Sequence, residues 1–179
     1  MSLMSRLTRR KLTKAAHKRM DGRARMFFSE YRLEYAFSYT AQVRLPPEVI
    51  GPTPDGIRAN FYVTSGEVDG PKLKGKFAPV GGDWLLIRRD GVAVLDVRAT
   101  IESHDGALIY LSYNGVADLG PNGYEAFLNG NLPQKATIRA VPRFQTSHPN
   151  YLWMNRLQCL NVGDVDLSTG LVRYDVYVT

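Results

Sequence analysis

Residues 84–115 read WLLIRRDGVAVLDVRATIESHDGALIYLSYNG, and this stretch decides the fold. From Trp84 to Arg89 the chain is apolar enough to form a buried strand. Asp90-Gly91 then supplies the positive-φ residues that a two-residue hairpin requires. Val92 to Glu102 has period two: Val92, Val94, Asp96, Arg98, Thr100 and Glu102 share one face, and Ala93, Leu95, Val97, Ala99 and Ile101 the other. A second turn at Asp105-Gly106 starts a further strand, Ala107 to Tyr113, which ends at Asn114-Gly115. The stretch is a meander of antiparallel strands. It specifies a fold without specifying a reaction.

The same reading extends outward. Upstream, Leu33, Tyr35, Phe37, Tyr39, Ala41 and Val43 alternate with polar or small residues, a long strand with one apolar face that Pro46-Pro47 ends. Gly51-Pro52-Thr53-Pro54-Asp55-Gly56 reads as loop by composition. Ile57 to Ser65 is the next strand, with Ile57, Ala59, Phe61 and Val63 on one side, and Phe77 to Gly82 leads into the meander. Downstream, a polar, Gly-rich excursion runs through Gly120-Pro121-Asn122-Gly123 and Asn129-Gly130-Asn131, long enough to act as a lid or a subunit contact. Ala136 to Phe144, Leu152 to Val162 and Leu171 to Thr179 then read as strands, the last with Val172, Tyr174, Val176 and Val178 on one face.

About eight or nine strands with regular turns, and almost no helical period after the first residues, mean an all-β chain. An open meander of that size leaves long unpaired edges, and closure into a single antiparallel barrel removes them. A barrel of about eight strands has room for one small ligand. A two-sheet sandwich is the second reading.

The chain has 179 residues and a net charge of +6, which fits one domain of roughly 100–200 residues. The charge is unevenly placed. Nine of the 23 Lys and Arg lie between Ser5 and Arg25 beside a single acid, Asp21, so the remainder carries 23 − 9 = 14 bases and 17 − 1 = 16 acids, net −2. A mildly acidic body carries a basic arm. Met1-Ser2-Leu3 ahead of Met4 reads as an expression remnant. Leu7, Leu12, Ala15, Ala16 and Met20 recur at helical spacing before Gly22, which predicts a short basic helix in an arm spanning 1–26, with the barrel domain at 27–179. Thr8-Arg9-Arg10 has the start of a twin-arginine signal, but Lys14, His17, Lys18 and Arg19 occupy the place of its apolar region. No run reaches the roughly 20 apolar residues of a membrane helix. Cys159 is the one cysteine; it excludes an intrachain disulfide framework and points to a reducing, cytoplasmic setting.

Several stretches together resemble a known family. Gly70-Pro71-x-Leu73-x-Gly75, Pro79-x-Gly81-Gly82-Asp83-Trp84, Arg89-Asp90-Gly91, Leu95-Asp96-x-Arg98, Asp105-Gly106-Ala107 and Tyr113-x-Gly115 look like the domain-of-unknown-function family 3237, also called uncharacterised protein family 0311. Pro142-x-Phe144-x-Thr146 and Trp153-x-Asn155 fit it too. The resemblance covers roughly Tyr31 to the C-terminus and leaves the basic arm outside. It implies a calycin-like, lipocalin-like β-barrel with no established biochemical activity; no cofactor is expected.

Candidate chemistry is sparse. Gly70-Pro71-Lys72-Leu73-Lys74-Gly75-Lys76 has phosphate-loop spacing, but Phe77 stands where a magnesium-binding hydroxyl belongs, and Pro79 with Gly81-Gly82 forbids the helix that would hold the phosphate. His17, His104 and His148 are scattered without paired spacing, so no metal site is expected. Cys159 sits in an apolar strand context, that of an inert buried thiol. The sharpest constellation is Asp96, Arg98 and Glu102, which share one strand face. If that face is the lumen, they form a catalytic or binding set; if it is the outside, Asp96 and Arg98 are a surface pair. Arg58, Asp83, Trp84, Tyr110 and Tyr113 are secondary ligand-binding candidates, with Arg58 as an anion anchor and Trp84 as an apolar wall.

Two functions follow as expectations. The barrel binds a small, partly apolar, aromatic or anionic metabolite. Alternatively it is a cofactor-independent lyase, cyclase or isomerase in which Asp96 or Glu102 moves a proton, Arg98 stabilises negative charge and a tyrosine assists. Apolar residues exceed what one lumen can bury, so a homo-oligomer, a dimer, is expected. The basic arm then packs on protein, or contacts nucleic acid or an anionic surface.

Overall fold

Alternation governs the long strands of the structure, a computed structural model that describes residues 32–179. Nine strands run in chain order: β1 (Glu34–Val43), β2 (Glu48–Thr53), β3 (Gly56–Asp69), β4 (Gly75–Ile87), β5 (Val92–Ser103), β6 (Leu108–Asp118), β7 (Lys135–Gln145), β8 (Cys159–Asp166) and β9 (Leu171–Val178). A short helix α1 (Gly123–Leu128) lies between β6 and β7, and a 3-10 helix (Pro149–Arg156) between β7 and β8. In β7 the two sets separate fully: Ala136, Ile138, Ala140, Pro142 and Phe144 are buried and every residue between them is exposed.

All neighbouring strands pair antiparallel, in the order β1-β9-β8-β7-β6-β5-β4-β3-β2. The second half of β3 also pairs with β1, Tyr39 opposite Val68 and Ala41 opposite Gly66, which closes eight strands into a barrel. Strand β2 lies outside the ring along the first half of β3. Closure leaves no open edge on the ring itself.

The inner faces meet in a continuous core. Phe37, Ile57, Ile87, Ile101, Ile109, Leu111, Phe144, Met154, Tyr174 and Val176 are almost wholly buried, each side chain of this size contributing about 1.5–3 kcal/mol. The ion pairs Glu34–Lys72, Glu102–Lys76 and Asp164–Arg173 lie on the exposed surface, where such pairs contribute about 0–1 kcal/mol. Burial therefore holds this barrel.

The structure corrects the sequence reading at five places. Gly51, Pro52 and Thr53 belong to β2, where proline is tolerated because an edge strand needs no donor on its outer side. Leu152 to Arg156 is 3-10 helix rather than strand, begun by Pro149 and capped by His148, whose ring nitrogen accepts the Asn150 N–H at 3.4 Å. The turn after β4 holds three residues, since Arg88 N–H donates to Val92 O and Gly91 N–H to Arg88 O. Only Gly91 takes positive φ there, 82°, so Asp90 keeps ordinary geometry. A bulge at Tyr35/Phe37 buries Ala36 and Phe37 together and turns Leu33 and Tyr35 outward. The Gly-rich excursion contains α1, too short to show a helical period. The expected basic helix of residues 5–21 lies outside the described residues.

Candidate functional site

The barrel interior has two halves. Around Phe37, Ile101, Ile109, Phe144 and Met154 it is filled by side chains. The other half encloses a cavity of about 100 Å³. Its wall is apolar, built from the inward faces of the strands: Phe61, Val63, Leu85, Ile87, Leu95, Val97, Ala99, Leu111, Ile138 and Val172 among others. Leu45, Leu119, Phe127 of α1, Leu132 and Leu167 line it as well, from outside the strands. Alanines at 93, 99 and 117, where other inner positions carry larger residues, leave the space.

The polar groups of this interior gather in one place. Asp83 on β4 lies opposite Val97 on β5 and Phe61 on β3, both inward residues, and so faces the cavity. Between Asp83/Val97 and Leu86/Val94 the β4–β5 ladder is interrupted. The Asp96 N–H freed there donates to Asp83 Oδ1 at 2.9 Å, the one hydrogen bond to this carboxylate among the described residues. Asp83 keeps some accessible surface because it borders the cavity, but protein surrounds it on nearly every side. Burial pushes its carboxyl up to about 7, outweighing the Asp96 N–H, while the nearby Asp96 charge adds to the rise.

Three tyrosines stand around it, Tyr39 from β1, Tyr113 from β6 and Tyr174 from β9. The Tyr39 and Tyr174 rings lie 5.3 Å apart and the Tyr113 and Tyr174 rings 5.8 Å apart. Burial first, then their mutual proximity, raises all three phenols, and Asp83 adds to the rise at Tyr113 and Tyr174. They remain neutral hydrogen-bond donors across the physiological range. Asn161 from β8 donates its side-chain N–H to the Tyr39 hydroxyl at 2.8 Å. Among the described residues two buried atoms are left without partners, Asn161 Oδ1 and the Tyr174 hydroxyl; Tyr113 and Tyr174 shift one another's phenols, but their hydroxyls stand farther apart than a hydrogen bond. Gly163 makes room for the Tyr174 ring, because a Cβ there would strike it and the Arg173 backbone.

Of the residues singled out in the sequence, Asp83 and Tyr113 face the cavity. Asp96, Arg98 and Glu102 do not. They alternate with the buried Leu95, Val97, Ala99 and Ile101, which puts them on the outer wall. A shared face is readable from period two, but which face turns inward is set by closure. There Asp96 pairs with Arg98 at 3.0 Å and Glu102 with Lys76 at 3.4 Å, both half-exposed. The Arg98 guanidinium lies 5.5 Å over the Trp84 ring, and Arg58 donates to the Trp84 carbonyl at 3.2 Å. The outer wall thus gathers Arg58, Trp84, Asp96 and Arg98, so Trp84 is no cavity wall and Arg58 no lumen anchor. Tyr110 is 40 % exposed on the same side. Tyr39, Tyr174 and Asn161 carry only a weak signal in the sequence, a polar tip on an otherwise apolar strand face. Cys159 is buried, and burial pushes its thiol up to about 11.

Residues 31–179 match the family model described as Protein of unknown function (DUF3237). The chain belongs to this family. A relative from Rhodopseudomonas palustris, an uncharacterised UPF0311 protein, is 31 % identical over 147 residues, covering 80 % of this chain and 94 % of its own. Among solved structures, the DUF3237 chain resembles a protein of unknown function from Clostridium acetobutylicum at TM-score 0.74 and 30 % identity, covering 83 % of this chain and 99 % of that one. A β-barrel-like protein from Acinetobacter baumannii matches at TM-score 0.71 and 27 % identity, over 85 % and 99 % of the two chains. Among the described residues of this DUF3237 protein, no helix is long and apolar enough to cross a membrane.

Proposed function

We propose that this DUF3237 barrel binds one small, neutral molecule of single-ring size in its lumen, in the manner of a calycin-like carrier. The cavity carries the reading: an apolar sleeve ending at one carboxyl and a group of phenols. Its volume of about 100 Å³ is on the scale of the roughly 150 Å³ engineered cavity that accepts benzene. Among the described residues its lining includes Asp83 but no Lys or Arg, so an anionic ligand would meet like charge, whereas a hydroxyl or carbonyl finds donors and acceptors in Tyr113 and Asp83. The alternative of a cofactor-independent lyase, cyclase or isomerase has no support in Asp96, Arg98 or Glu102 and rests on Asp83.

Thermal shift with p-cresol, benzoate and benzylamine tests the binding reading. p-Cresol raises the melting midpoint in a saturable way and benzoate does not, and Ala99→Leu, which fills the cavity, abolishes the p-cresol shift. Equal shifts in wild type and Ala99→Leu would place binding elsewhere.

For assembly, the reading is a cytoplasmic homodimer. An apolar row crosses the outer wall, Leu86 opposite Val94 and Val94 opposite Val116, with Val141 close by and 54 % exposed. Sedimentation of the 20.1 kDa chain gives twice that mass, and Val116→Lys with Val141→Lys gives monomer. A monomeric wild type whose residues 5–25 bind DNA in a salt-dependent way would replace this reading with the nucleic-acid one.

A further inference from the structure

Asp83 does more than polarise one end of a binding cavity. We propose that the floor of the lumen is a proton-transfer site for small enolisable ketones, with the Asp83 carboxylate as the base at carbon and the Tyr113 hydroxyl as the donor to the carbonyl oxygen. This rests on the lumen being a ligand site.

Geometry carries the assignment. Asp83 on β4 reaches the cavity with two phenols, Tyr39 from β1 and Tyr113 from β6; the Tyr39 hydroxyl already accepts the Asn161 side-chain N–H, and Tyr113 is the one that Asp83 acts on. The Asp96 N–H fixes Oδ1 at 2.9 Å, and no other hydrogen bond among the described residues occupies the carboxylate. A base needs both features, a defined position and a free lone pair. Tyr174, its ring 5.8 Å from that of Tyr113, brings to the same region a buried hydroxyl with no partner among the described residues. Phenols aimed at a forming oxyanion in an apolar pocket stabilise it more than water does, because they need no reorientation during the reaction.

The groups around Asp83 keep the carboxyl near the working pH. Tyr39 on β1, Tyr113 on β6 and Tyr174 on β9 are neutral; β5 offers the Asp96 N–H with the Asp96 charge behind it; β3 presents Phe61 and β7 Ile138. From β8 the near polar group is Asn161, uncharged. On the outer side Arg139 acts on Tyr174. A base that ionises near neutrality combines a usable deprotonated fraction with useful strength.

The step balances without a co-reactant. The Asp83 carboxylate takes a proton from the carbon between the carbonyl and the alkene of a β,γ-unsaturated ketone. That C–H electron pair becomes a C=C bond as the carbonyl π pair moves onto oxygen, where the Tyr113 hydroxyl donates a hydrogen bond and keeps its proton. The dienolate then takes the proton back from the Asp83 carboxyl at its γ carbon, leaving the conjugated ketone and the original carboxylate.

Cyclohex-3-en-1-one is a probe that fits one ring's space, and its conjugated product is followed by ultraviolet absorbance on the full chain. Saturable isomerisation is expected, with a rate that rises with pH to a plateau and has its midpoint near 7. Asp83→Asn lowers the rate about 100-fold or more, Asp83→Glu keeps part of it, and Asp164→Asn on the outer wall keeps all of it. Circular dichroism and p-cresol binding establish that the variants fold. If Asp83→Asn does not fold, the wild-type pH profile decides, and a flat profile overturns the proposal. Saturable p-cresol binding with isomerisation no faster than buffer overturns the proton transfer but keeps the ligand site. Absence of both binding and turnover overturns the two together. Turnover in Asp83→Asn within about threefold of wild type removes Asp83 as the base.

Discussion

Asp83 Oδ1 and the Asp96 backbone N lie 2.9 Å apart across an interruption in the β4–β5 ladder. One acid faces inward and the other outward, and the contact between them runs through the main chain. It ties the cavity's only carboxyl among the described residues to a rigid sheet, so a change at Asp83 registers in stability as well as in any chemistry.

The titration of Asp83 gives that first prediction a sign. Its carboxyl is pushed up to about 7 from an ordinary value of about 4. Between those values the folded chain holds a proton that the unfolded chain has released, so stability falls as pH rises from about 4 to about 7 and then levels. Urea unfolding of wild type against Asp83→Asn shows this decline, on the order of a few kcal/mol. A difference that stays flat with pH would contradict the burial of this group.

Tyr174 carries a buried hydroxyl without a partner among the described residues. A buried polar group left unpaired costs about 1–3 kcal/mol. Tyr174→Phe keeps the ring against Tyr39 and Tyr113 and removes the hydroxyl, so the ligand-free protein is expected to gain about 1 kcal/mol by chemical unfolding. A loss of that size would mean that the hydroxyl is satisfied in solution.

Two glycines separate space from backbone conformation. At Gly163 a Cβ would collide with the Arg173 carbonyl and the Tyr174 ring, so Gly163→Ala is expected to cost about 2–3 kcal/mol. At Gly106 no atom of the described residues lies within 4 Å of an added Cβ, but φ is +81°, so Gly106→Ala costs about 1 kcal/mol through the backbone alone. Melting of the two variants side by side ranks them; the reverse order would contradict the β8–β9 packing.

Asp105 fastens the β5–β6 turn to the 3-10 helix. It accepts the Ser103 hydroxyl at 2.5 Å, the Tyr151 hydroxyl at 2.9 Å and the Asn150 side-chain N–H at 3.1 Å. These bonds, Ser103 first, hold its carboxyl down at about 2. The linkage runs opposite to that of Asp83: its stabilisation is full above about pH 4 and is lost as pH falls toward 2. Asp105→Ala is expected to lower the melting midpoint at pH 7 and to converge on wild type at low pH. Parallel curves across that range would remove the carboxylate as the fastener.

Period two, the glycine turns and the length of the meander are local properties of the chain, so an antiparallel all-β fold could be read from the residues alone, whereas the barrel rather than the sandwich came with the pairing of β1 and β3. Apolar sets such as Ala93 to Ile101 could be read directly, and so could the buried Cys159. Local patterning also placed Asp96, Arg98 and Glu102 on one face, but it carries no label for inside. That label came from closure through β1 and β3, which turned Leu95 and Val97 inward and the charged set out. Only the tertiary structure could bring Asp83, Tyr39, Tyr113, Tyr174 and Asn161 together, since they come from five strands far apart in the chain. Each is a single polar tip on an apolar face, unremarkable alone. Their chemistry arises from shared burial, a property of the assembled barrel.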